Sequence, residues 1–342
     1  MESSNKLIPP HLNAEVYRSD TTGTTTFDYL DYVRLHPDGS ILVGCSELTG
    51  RYWNGGVYIF KSWNDFQEKK KELKLSIPLA SGTADGCFLQ DSNKVLLCED
   101  NGRLSLWSES DVKCVWRQWN EEIIVAEHDD AILAIDCLKP ASEYVTVGAD
   151  GIAKVWDISE LICVRNYVGA HSRPIQGVAV RPNSTVNFAT GSLDYYISMW
   201  DENTFAPALN VKNDSGVRCL QWLNENELVF GDDAGWLSLV DVRKPEPEKL
   251  LELPAPVHQI TIQPKKKQIA VCCDNRIVSV YKIDGTNLQM SYQCKNAHSK
   301  YVRSVAWDPK QSNVLYSSGW DGQVKMVFYE KRVSSKCRRN IY

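Results

Sequence analysis

One short pattern returns several times along the chain and constrains its fold more than any other feature. In each copy an apolar stretch leads into small residues, an aspartate stands at a turn, and an alternating stretch closes on Trp-Asp or its equivalent. The clearest copies are residues 145–157 and 188–201. The seven copies, some of them weak, close at Phe60, Trp107, Trp156, Trp200, Val240, Tyr281 and Phe328.

The spacing of the copies indicates how large each repeated unit is. Trp107 and Trp156 are 49 residues apart, Trp156 and Trp200 are 44 apart, and Trp200 and Val240 are 40 apart. A WD40 blade has about 40–45 residues and four strands. Several units also open with alternating apolar and polar residues bounded by Gly, Pro, Asn or Asp, as half-buried antiparallel strands do. The sequence therefore predicts an all-β fold, a seven-bladed WD40 β-propeller over residues 31–330.

The regions outside the regular units lead to separate expectations. Residues 1–30 are expected to help close the propeller, with Glu15-Val-Tyr17 pairing beside residues 324–328, and a loose tail is the alternative. Residues 331–342 form a basic C-terminal tail, for which a solvated tail and a contact with phosphate or an acidic partner both stay open. The charged segment 61–80 is expected to be a solvated loop or a short helix.

Composition and charge exclude several classes of function. The 38 Lys and Arg against 43 Asp and Glu give a formal net charge of -5, which disfavours nucleic acid as a partner. No stretch approaches the roughly 18 apolar residues of a membrane span, so no membrane partner is expected. The 11 cysteines lack any C-x-x-C spacing, which favours buried reduced thiols. We therefore expect a cytoplasmic protein that also enters the nucleus.

Three units contain residues that WD40 blades commonly bury as one hydrogen-bonded set of His, Ser or Thr, Asp and Trp. Such a set satisfies polar groups that would otherwise be buried without partners. A catalytic triad uses similar residue types, but recurrence from unit to unit beside a blade tryptophan indicates a structural role. The sets are His128, Thr146, Asp150 and Trp156 in the third unit, His171, Thr190, Asp194 and Trp200 in the fourth, and the partial pair His298 and Asp321 in the last.

No motif in the chain organises a nucleophile or cradles a cofactor. The patterns G-x-x-x-x-G-K-[ST], H-E-x-x-H and G-x-S-x-G are all missing from the sequence. The adjacent carboxylates Asp129-Asp130 and Asp232-Asp233 are expected to lie in turns. We therefore predict no catalytic residue, no cofactor and no metal site, and a function in binding.

Stretches in the first and last units are more specific than a general WD40 repeat. They are Gly50-Arg-Tyr-Trp-Asn-Gly-Gly56 in the first unit, and Tyr301-Val-Arg303 with Gly319-Trp-Asp321 in the last. With weaker similarities in the other units, they resemble the WD-repeat subunit of the methylosome, the partner of the type II protein arginine methyltransferase. The missing Pro-rich N-terminus and the degenerate sixth unit favour a diverged invertebrate member of this family.

This resemblance implies a non-catalytic adaptor. Such proteins bind the catalytic subunit of the arginine methyltransferase in a hetero-oligomer and present arginine-rich substrates such as Sm proteins and histones. The resemblance also implies that Trp53 anchors the contact, with Arg51 and Tyr52 beside it. In addition, Asn54-Gly-Gly56 is typical of a turn, which would project the Trp53 indole outward. A Trp53 packed against its own blade is the alternative.

Two other classes of function stay open at this point. One is another WD40 scaffold, such as the substrate receptor of a ubiquitin ligase or a chromatin protein that reads peptides. The other is an RNA-binding propeller, which would use the 11 Trp and 15 Tyr residues together with the basic tail. The proteins that co-purify with the chain would separate the first class from the methyltransferase adaptor, and a steep salt dependence of RNA affinity would support the second.

Overall fold

Seven small antiparallel sheets make up the fold. A computed structural model describes residues 29–49, 52–69, 75–110, 118–263, 265 and 267–329. In these ranges six sheets have four strands and one has three, and consecutive strands pair within each sheet. The first strand of each sheet contacts the first strand of the next, and the last sheet contacts the first. The predicted seven-bladed WD40 β-propeller is confirmed.

The blades follow the chain in order, each with its first strand innermost. Blade 1 has β1 (Tyr29–Leu35), β2 (Ile41–Thr49), β3 (Tyr52–Phe60), α1 (Trp63–Lys69) and β4 (Ile77–Leu79). Blade 2 has β5 (Thr83–Phe88), β6 (Lys94–Glu99), β7 (Arg103–Glu109) and β8 (Trp119–Ala126). Blade 3 has β9 (Ile132–Lys139), β10 (Glu143–Gly148), β11 (Ala153–Asp157) and β12 (Ile162–Tyr167).

The remaining blades repeat this arrangement. Blade 4 has β13 (Ile175–Val180), β14 (Asn187–Ser192), β15 (Tyr196–Asp201) and β16 (Leu209–Lys212). Blade 5 has β17 (Val217–Trp222), β18 (Glu227–Asp232), β19 (Trp236–Asp241) and β20 (Lys244–Glu252). Blade 6 has β21 (Val257–Gln263), β22 (Gln268–Cys273), β23 (Val278–Asp284) and β24 (Asn287–Cys294). Blade 7 has β25 (Val302–Trp307), β26 (Val314–Gly319) and β27 (Gln323–Phe328).

A polar side chain ties every pair of neighbouring inner strands together. Most of these ties are hydrogen bonds from a backbone N–H of one strand to a side-chain oxygen of the other. Ser304 makes the bond that closes the ring, between residues 271 positions apart. The seven ties are Arg34–Asp85 (2.6 Å), Asp85–Ile135 (3.2 Å), Asp136–Val180 (2.7 Å), Trp222–Ala179 (3.0 Å), Gln221–Ile262 (2.7 Å), Gln259–Val305 (2.8 Å) and Ser304–Val33 (3.1 Å).

The structure brings together the residues of each buried polar set. In blade 3, His128 lies between Asp150, at 2.8 Å from Nδ1, and Thr146, at 2.9 Å from Nε2. The indole Nε1 of Trp156 donates to the same Thr146 hydroxyl at 2.8 Å. Blade 4 repeats this geometry with His171, Asp194, Thr190 and Trp200 (2.8–2.9 Å). In blade 7, His298 contacts Asp321 at 2.7 Å and Ser317 at 2.9 Å.

The aspartates of these sets are held in their charged form. Burial raises the pKa of Asp321, but the hydrogen bond and charge of His298 and the backbone N–H of Ser299 outweigh it and lower the pKa to about 2. The pKa of Asp150 is also lowered, by His128 and by the N–H groups of Ile152 and Asp129, against burial. Each aspartate therefore fixes both the histidine and the backbone of its turn.

Blade 5 builds a different polar pair, which the sequence did not reveal. Asn213 stands four residues before its inner strand, as the histidines do in blades 3, 4 and 7. Its Nδ2 donates to Asp232 at 3.0 Å, and Asp232 also accepts the N–H of Trp236 at 2.8 Å. The expectation that Asp232 lies in a turn is therefore wrong. It is the buried last residue of β18, because Ala234 occupies the position of the turn aspartate.

The segment 61–80, predicted to be a solvated loop or a short helix, has a structural role at the junction between blades 7 and 1. Its helix α1 presents Trp63 and Phe66 on one side, three residues apart. Trp63 meets Tyr316 of blade 7 at a ring-centroid distance of 5.3 Å, and Phe66 meets Phe60 of blade 1 at 5.0 Å. The segment therefore joins blades 1 and 7, and it also supplies the outermost strand of blade 1, β4.

Two expectations about the chain ends cannot be compared with this structure. Glu15-Val-Tyr17, the segment expected to close the propeller, and the tail at residues 331–342 lie outside the described residues. Within the described residues, β27 pairs only with β26. No helix in the described ranges is long and apolar enough to cross a membrane.

We predict that Asp150→Ala and Asp194→Ala each lower the free energy of unfolding by about 1–3 kcal/mol, because each strands a buried histidine and backbone donors. Thermal or chemical denaturation of the purified variants measures this. Asp214→Ala is the matched control, since the Asp214 side chain is 82% exposed and its ion pair with Lys249 contributes little. Unchanged melting of the two core variants would contradict a structural role.

Candidate binding face

The end of the propeller at which the inner strands begin is called the upper face below. Each inner strand has a β-bulge there, because its pairing with the second strand skips one residue. A bulge bends the strand and redirects the side chain of the extra residue. The seven bulge residues are Asp31, Ala84, Leu133, Gln176, Arg218, His258 and Arg303.

Six of the seven bulge residues, all but Arg218, line a central cavity of about 890 Å³. The chemistry of this cavity changes around the ring. Blades 1 to 3 contribute the carboxyl groups of Asp31, Asp85 and Asp136, whereas blades 6 and 7 contribute His258 and Arg303. The cavity is thus polar, with an acidic side at blades 1 to 3, where Arg34 also pairs with Asp85, and a basic side at blades 6 and 7.

The acidic side contains a carboxyl group in an unfavourable environment. Burial raises the pKa of Asp136 to about 6, although the N–H groups of Val180 and Cys137 donate to its two oxygens at 2.7 and 2.8 Å. Asp85 is also buried, and burial raises its pKa against the opposing charge of Arg34 at 2.6 Å. These carboxyl groups hold the ring together at an electrostatic cost.

On the basic side, Asp274 joins three inner strands. Its carboxylate lies 2.9 Å from the guanidinium of Arg218, 3.4 Å from that of Arg303 and 3.8 Å from the imidazole of His258. Burial and the charges of Arg303 and Arg218 lower the pKa of His258 well below its ordinary value. His258 is therefore neutral at physiological pH, and the two arginines carry the positive charge here.

At the upper face, Trp320 joins blade 7 to blade 1. Its indole N–H donates to Asp31 at 3.0 Å, and the Ser46 hydroxyl donates to the other oxygen of Asp31 at 2.5 Å. The Arg303 guanidinium lies 4.8 Å from the centre of the Trp320 ring system. Ser46 belongs to β2, so this cluster supports the base of the β2–β3 hairpin.

The β2–β3 hairpin projects from the upper face. Its strands form nine residue pairs, ending at Thr49 and Tyr52, whereas β14 and β15 of blade 4 form five. When the two hairpins are aligned on the bulges of their inner strands, five pairs of blade 1, from Cys45–Gly56 to Thr49–Tyr52, lie above the last pair of blade 4. At about 3.3 Å per residue they extend the hairpin by roughly 16 Å. The upper face therefore has one prominent protrusion among its described residues, at blade 1.

The residues expected to bind a partner lie at the tip of this hairpin. The backbone of Trp53 pairs with Leu48, and that of Tyr52 with Thr49. Arg51 and the side chains of Tyr52 and Trp53 lie outside the described part of the structure. Trp53 is therefore close to a strand end, as expected, on an element that extends away from the propeller.

The turn predicted from Asn54-Gly55-Gly56 is wrong, since these residues lie inside β3. The glycines serve a close approach of neighbouring backbone. A Cβ at Gly55 would lie 2.6 Å from the carbonyl oxygen of Ser81, and one at Gly56 would lie 2.6 Å from that of Ile77. The extended hairpin, and not a turn at this position, therefore carries Trp53 outward.

The described residues do not form a recognisable reaction centre. Within them, no three His, Cys, Asp or Glu side chains are placed to hold a metal ion. The nine cysteines in these ranges are free thiols, and burial raises the pKa of Cys45, Cys98 and Cys219. Thiols of this kind are poor nucleophiles. The upper face is thus equipped for binding through shape, charge and aromatic surface.

Comparison with known proteins supports this assignment of fold. The family model "WD domain, G-beta repeat" matches residues 120–157, 162–201 and 289–327. The chain is 24% identical over 308 residues to the methylosome protein WDR77 of Xenopus laevis, covering 85% of this chain and 87% of that protein. It is 29% identical over 127 residues to the mRNA export factor GLE2 of Chaetomium thermophilum, covering 37% of this chain.

A solved structure shows the same architecture. A chain in the crystal structure of a mitotic checkpoint complex superposes with a TM-score of 0.72 and covers 88% of this chain and 87% of that one. The sequence identity is 14%, so this likeness concerns the fold alone. The relation to WDR77 is distant but extends over nearly the whole propeller.

We predict that Asp136→Asn makes the protein less sensitive to pH. A folded-state pKa of about 6, raised above the ordinary 3.8, means that Asp136 contributes full stability below about pH 4 and that this contribution is lost as the pH rises through 6. The amide oxygen can still accept the Val180 N–H. The free energy of unfolding of the variant should therefore rise relative to that of the native protein by about 1.4 kcal/mol between pH 5 and 7.5.

Urea denaturation at several pH values measures this difference, with Asp214→Asn as the exposed control. A difference between Asp136→Asn and the native protein that stayed constant from pH 5 to 7.5 would contradict the raised pKa.

Proposed function

We propose that this protein is a non-catalytic adaptor that binds the catalytic subunit of a type II protein arginine methyltransferase in a hetero-oligomer. The similarity to a methylosome protein over 85% of the chain supports this proposal. WD40 propellers are generally scaffolds, and the family model that matches parts of the chain is a WD40 repeat. The sequence departures favour a diverged invertebrate member of that family, for which the insect protein Valois is our candidate.

The observation that carries the proposal is the extended β2–β3 hairpin with Trp53 near its tip. A tryptophan raised about 13 Å above a rigid face can enter a pocket on a partner without displacing the propeller's own core. Tryptophan and arginine are enriched among residues that dominate binding energies. The hairpin is well anchored at its base, where Ser46 bonds to Asp31 and Gly55 packs against the backbone of Ser81.

We further propose that the adaptor helps to present arginine-rich substrates such as Sm proteins and histones, in the cytoplasm and in the nucleus. The chain has a net charge of -5, and the upper face of blade 3 exposes Glu127, Asp129 and Asp130. Opposite charge increases the association rate of a basic tail and suppresses wrong partners. The same net charge argues against RNA as the main ligand.

We predict that Trp53→Ala weakens binding to the methyltransferase at least about 30-fold, which corresponds to about 2 kcal/mol for a hot-spot residue. Its melting temperature should stay close to that of the native protein, because the hairpin tip lies beyond the propeller core. Biolayer interferometry with the purified catalytic subunit and a thermal melt give the two quantities. Trp236→Ala, near the corresponding turn of blade 5, is the matched control.

If Trp53→Ala lowered the melting temperature like the core aspartate variants while folded molecules bound normally, Trp53 would be a packing residue. The proposal would then lose the residue on which the contact with the methyltransferase is based.

We also predict that the purified chain binds no S-adenosylmethionine and methylates no histone peptide by itself. No glycine-rich loop between a strand and a helix is present in the sequence to hold such a cofactor. Isothermal titration calorimetry with S-adenosylmethionine should give only heats of dilution. Saturable heat at one site per chain would overturn the assignment as a non-catalytic subunit.

A further inference from the structure

The turn between β14 and β15 in blade 4 contains a residue in an unfavourable backbone conformation. Tyr195 has a φ of +77°, in the left-handed region that a residue with a Cβ rarely adopts. The corresponding turns of blades 2, 3, 5 and 7 use glycine there, with φ between +70° and +89°. The glycines are Gly102, Gly151, Gly235 and Gly322. Tyr195 therefore carries backbone strain that the glycines avoid in the corresponding turns of the other four blades.

The Tyr195 side chain is not buried in the blade. It is 44% exposed, and the neighbouring Tyr196 is 39% exposed. Neither phenol hydroxyl has a hydrogen-bond partner among the described residues, whereas the backbone of both residues is well bonded. Asn213 N donates to the Tyr195 carbonyl at 2.8 Å, and Tyr196 N donates to Asp194 at 3.0 Å. The hydrogen bonds thus fix the backbone of two tyrosines whose rings are partly exposed to solvent.

Two cationic side chains accompany this aromatic pair. Lys212 lies directly opposite Tyr196 in the β15–β16 register, so the two side chains share one face of the sheet. Arg173 is exposed on the adjacent loop, where its carbonyl accepts the Ser192 hydroxyl at 3.0 Å. Neither cation forms an ion pair within the described residues. The nearby Asp214 already pairs with Lys249 at 2.8 Å.

Strained backbone that stays in a folded protein is often associated with a functional site, because the surrounding structure must hold it in place. Here the strained turn displays two phenols, with Lys212 opposite Tyr196 and the exposed Arg173 on the adjacent loop. The hydrogen bond from Lys249 lowers the pKa of Asp214, and the charge of Lys212 also contributes to lowering it. Tyrosine and arginine are the residues that interfaces favour. We propose that Tyr195, Tyr196, Arg173 and Lys212 form a second binding site, which takes an acidic peptide segment of a protein partner.

In this site, carboxylates of the peptide accept hydrogen bonds from the phenols and pair with Arg173 and Lys212, while its aliphatic carbons pack on the rings. The site is on blade 4, and the hairpin assigned to the methyltransferase is on blade 1. The proposal therefore does not depend on the proposed function. A complex of both partners with one chain is compatible with this placement.

The test measures binding of a fluorescein-labelled peptide of alternating Glu and Gly residues by fluorescence anisotropy. We expect saturable binding that weakens at least 10-fold in Tyr195→Gly and in the double variant Arg173→Ala/Lys212→Ala. Tyr195→Gly should melt at or above the native temperature, because glycine removes the strain. Phe205→Ala, which removes an aromatic ring 70% exposed between β15 and β16, should leave binding unchanged.

Several outcomes would overturn the proposal. These are no saturable binding of the acidic peptide, equal binding by Tyr195→Gly, or a lower melting temperature of Tyr195→Gly, which would show that the ring stabilises the turn. An arginine-rich peptide or a single-stranded RNA oligonucleotide that bound more tightly and lost affinity in Tyr195→Gly would assign a different ligand to the site. Trp53→Ala should bind the acidic peptide normally, which separates this result from the methyltransferase experiment.

Discussion

The ring of polar ties between neighbouring inner strands is the constraint on which the rest of the structure depends. Apolar packing between blades is non-directional and would tolerate small rotations. A hydrogen bond from a side chain to a specific backbone group fixes both the angle and the height of the next blade. Ser304 of blade 7 bonds to Val33 of blade 1 and so closes the ring. Small errors in the angle or height of the other six junctions would add up at this bond and break it.

This constraint explains why carboxyl groups are buried at the junctions between the blades. Asp85 and Asp136 accept backbone N–H groups of the next blade, which would otherwise be unpaired because each inner strand is the edge strand of its sheet and pairs on one side only. Burial raises the pKa of both groups, so each tie has an electrostatic cost. The cost is tolerable because an unpaired buried donor would cost about as much. The carboxyl groups with raised pKa values therefore serve to join neighbouring blades of the ring.

The sequence was sufficient for the architecture because the architecture repeats. Trp156 and Trp200 mark the ends of similar units, and histidines stand four residues before the inner strands of blades 3, 4 and 7. Where a unit departs from the pattern, sequence reasoning failed. Asp232 was wrongly predicted to lie in a turn because blade 5 has Asn213 in place of the histidine. The hydrogen bond between Asn213 and Asp232 is visible only in the structure. Asn54-Gly55-Gly56 was misread because glycine serves close approach as well as turns, and the residue it accommodates, Ser81, is distant in sequence.

The upper face likewise combines features that every blade repeats with features that occur in one blade. A weak signal for its bulge residues was present in the sequence, since several inner strands begin with a β-branched residue followed by a polar one, as in Val217-Arg218 and Val302-Arg303. The bulges are common to all blades and build the mouth of the central cavity. Among the described residues of the upper face, the long hairpin of blade 1 and the left-handed tyrosine in the turn of blade 4 occur once each, and neither is needed to close the ring. Features that the scaffold does not require are where a propeller can be specific for its partners.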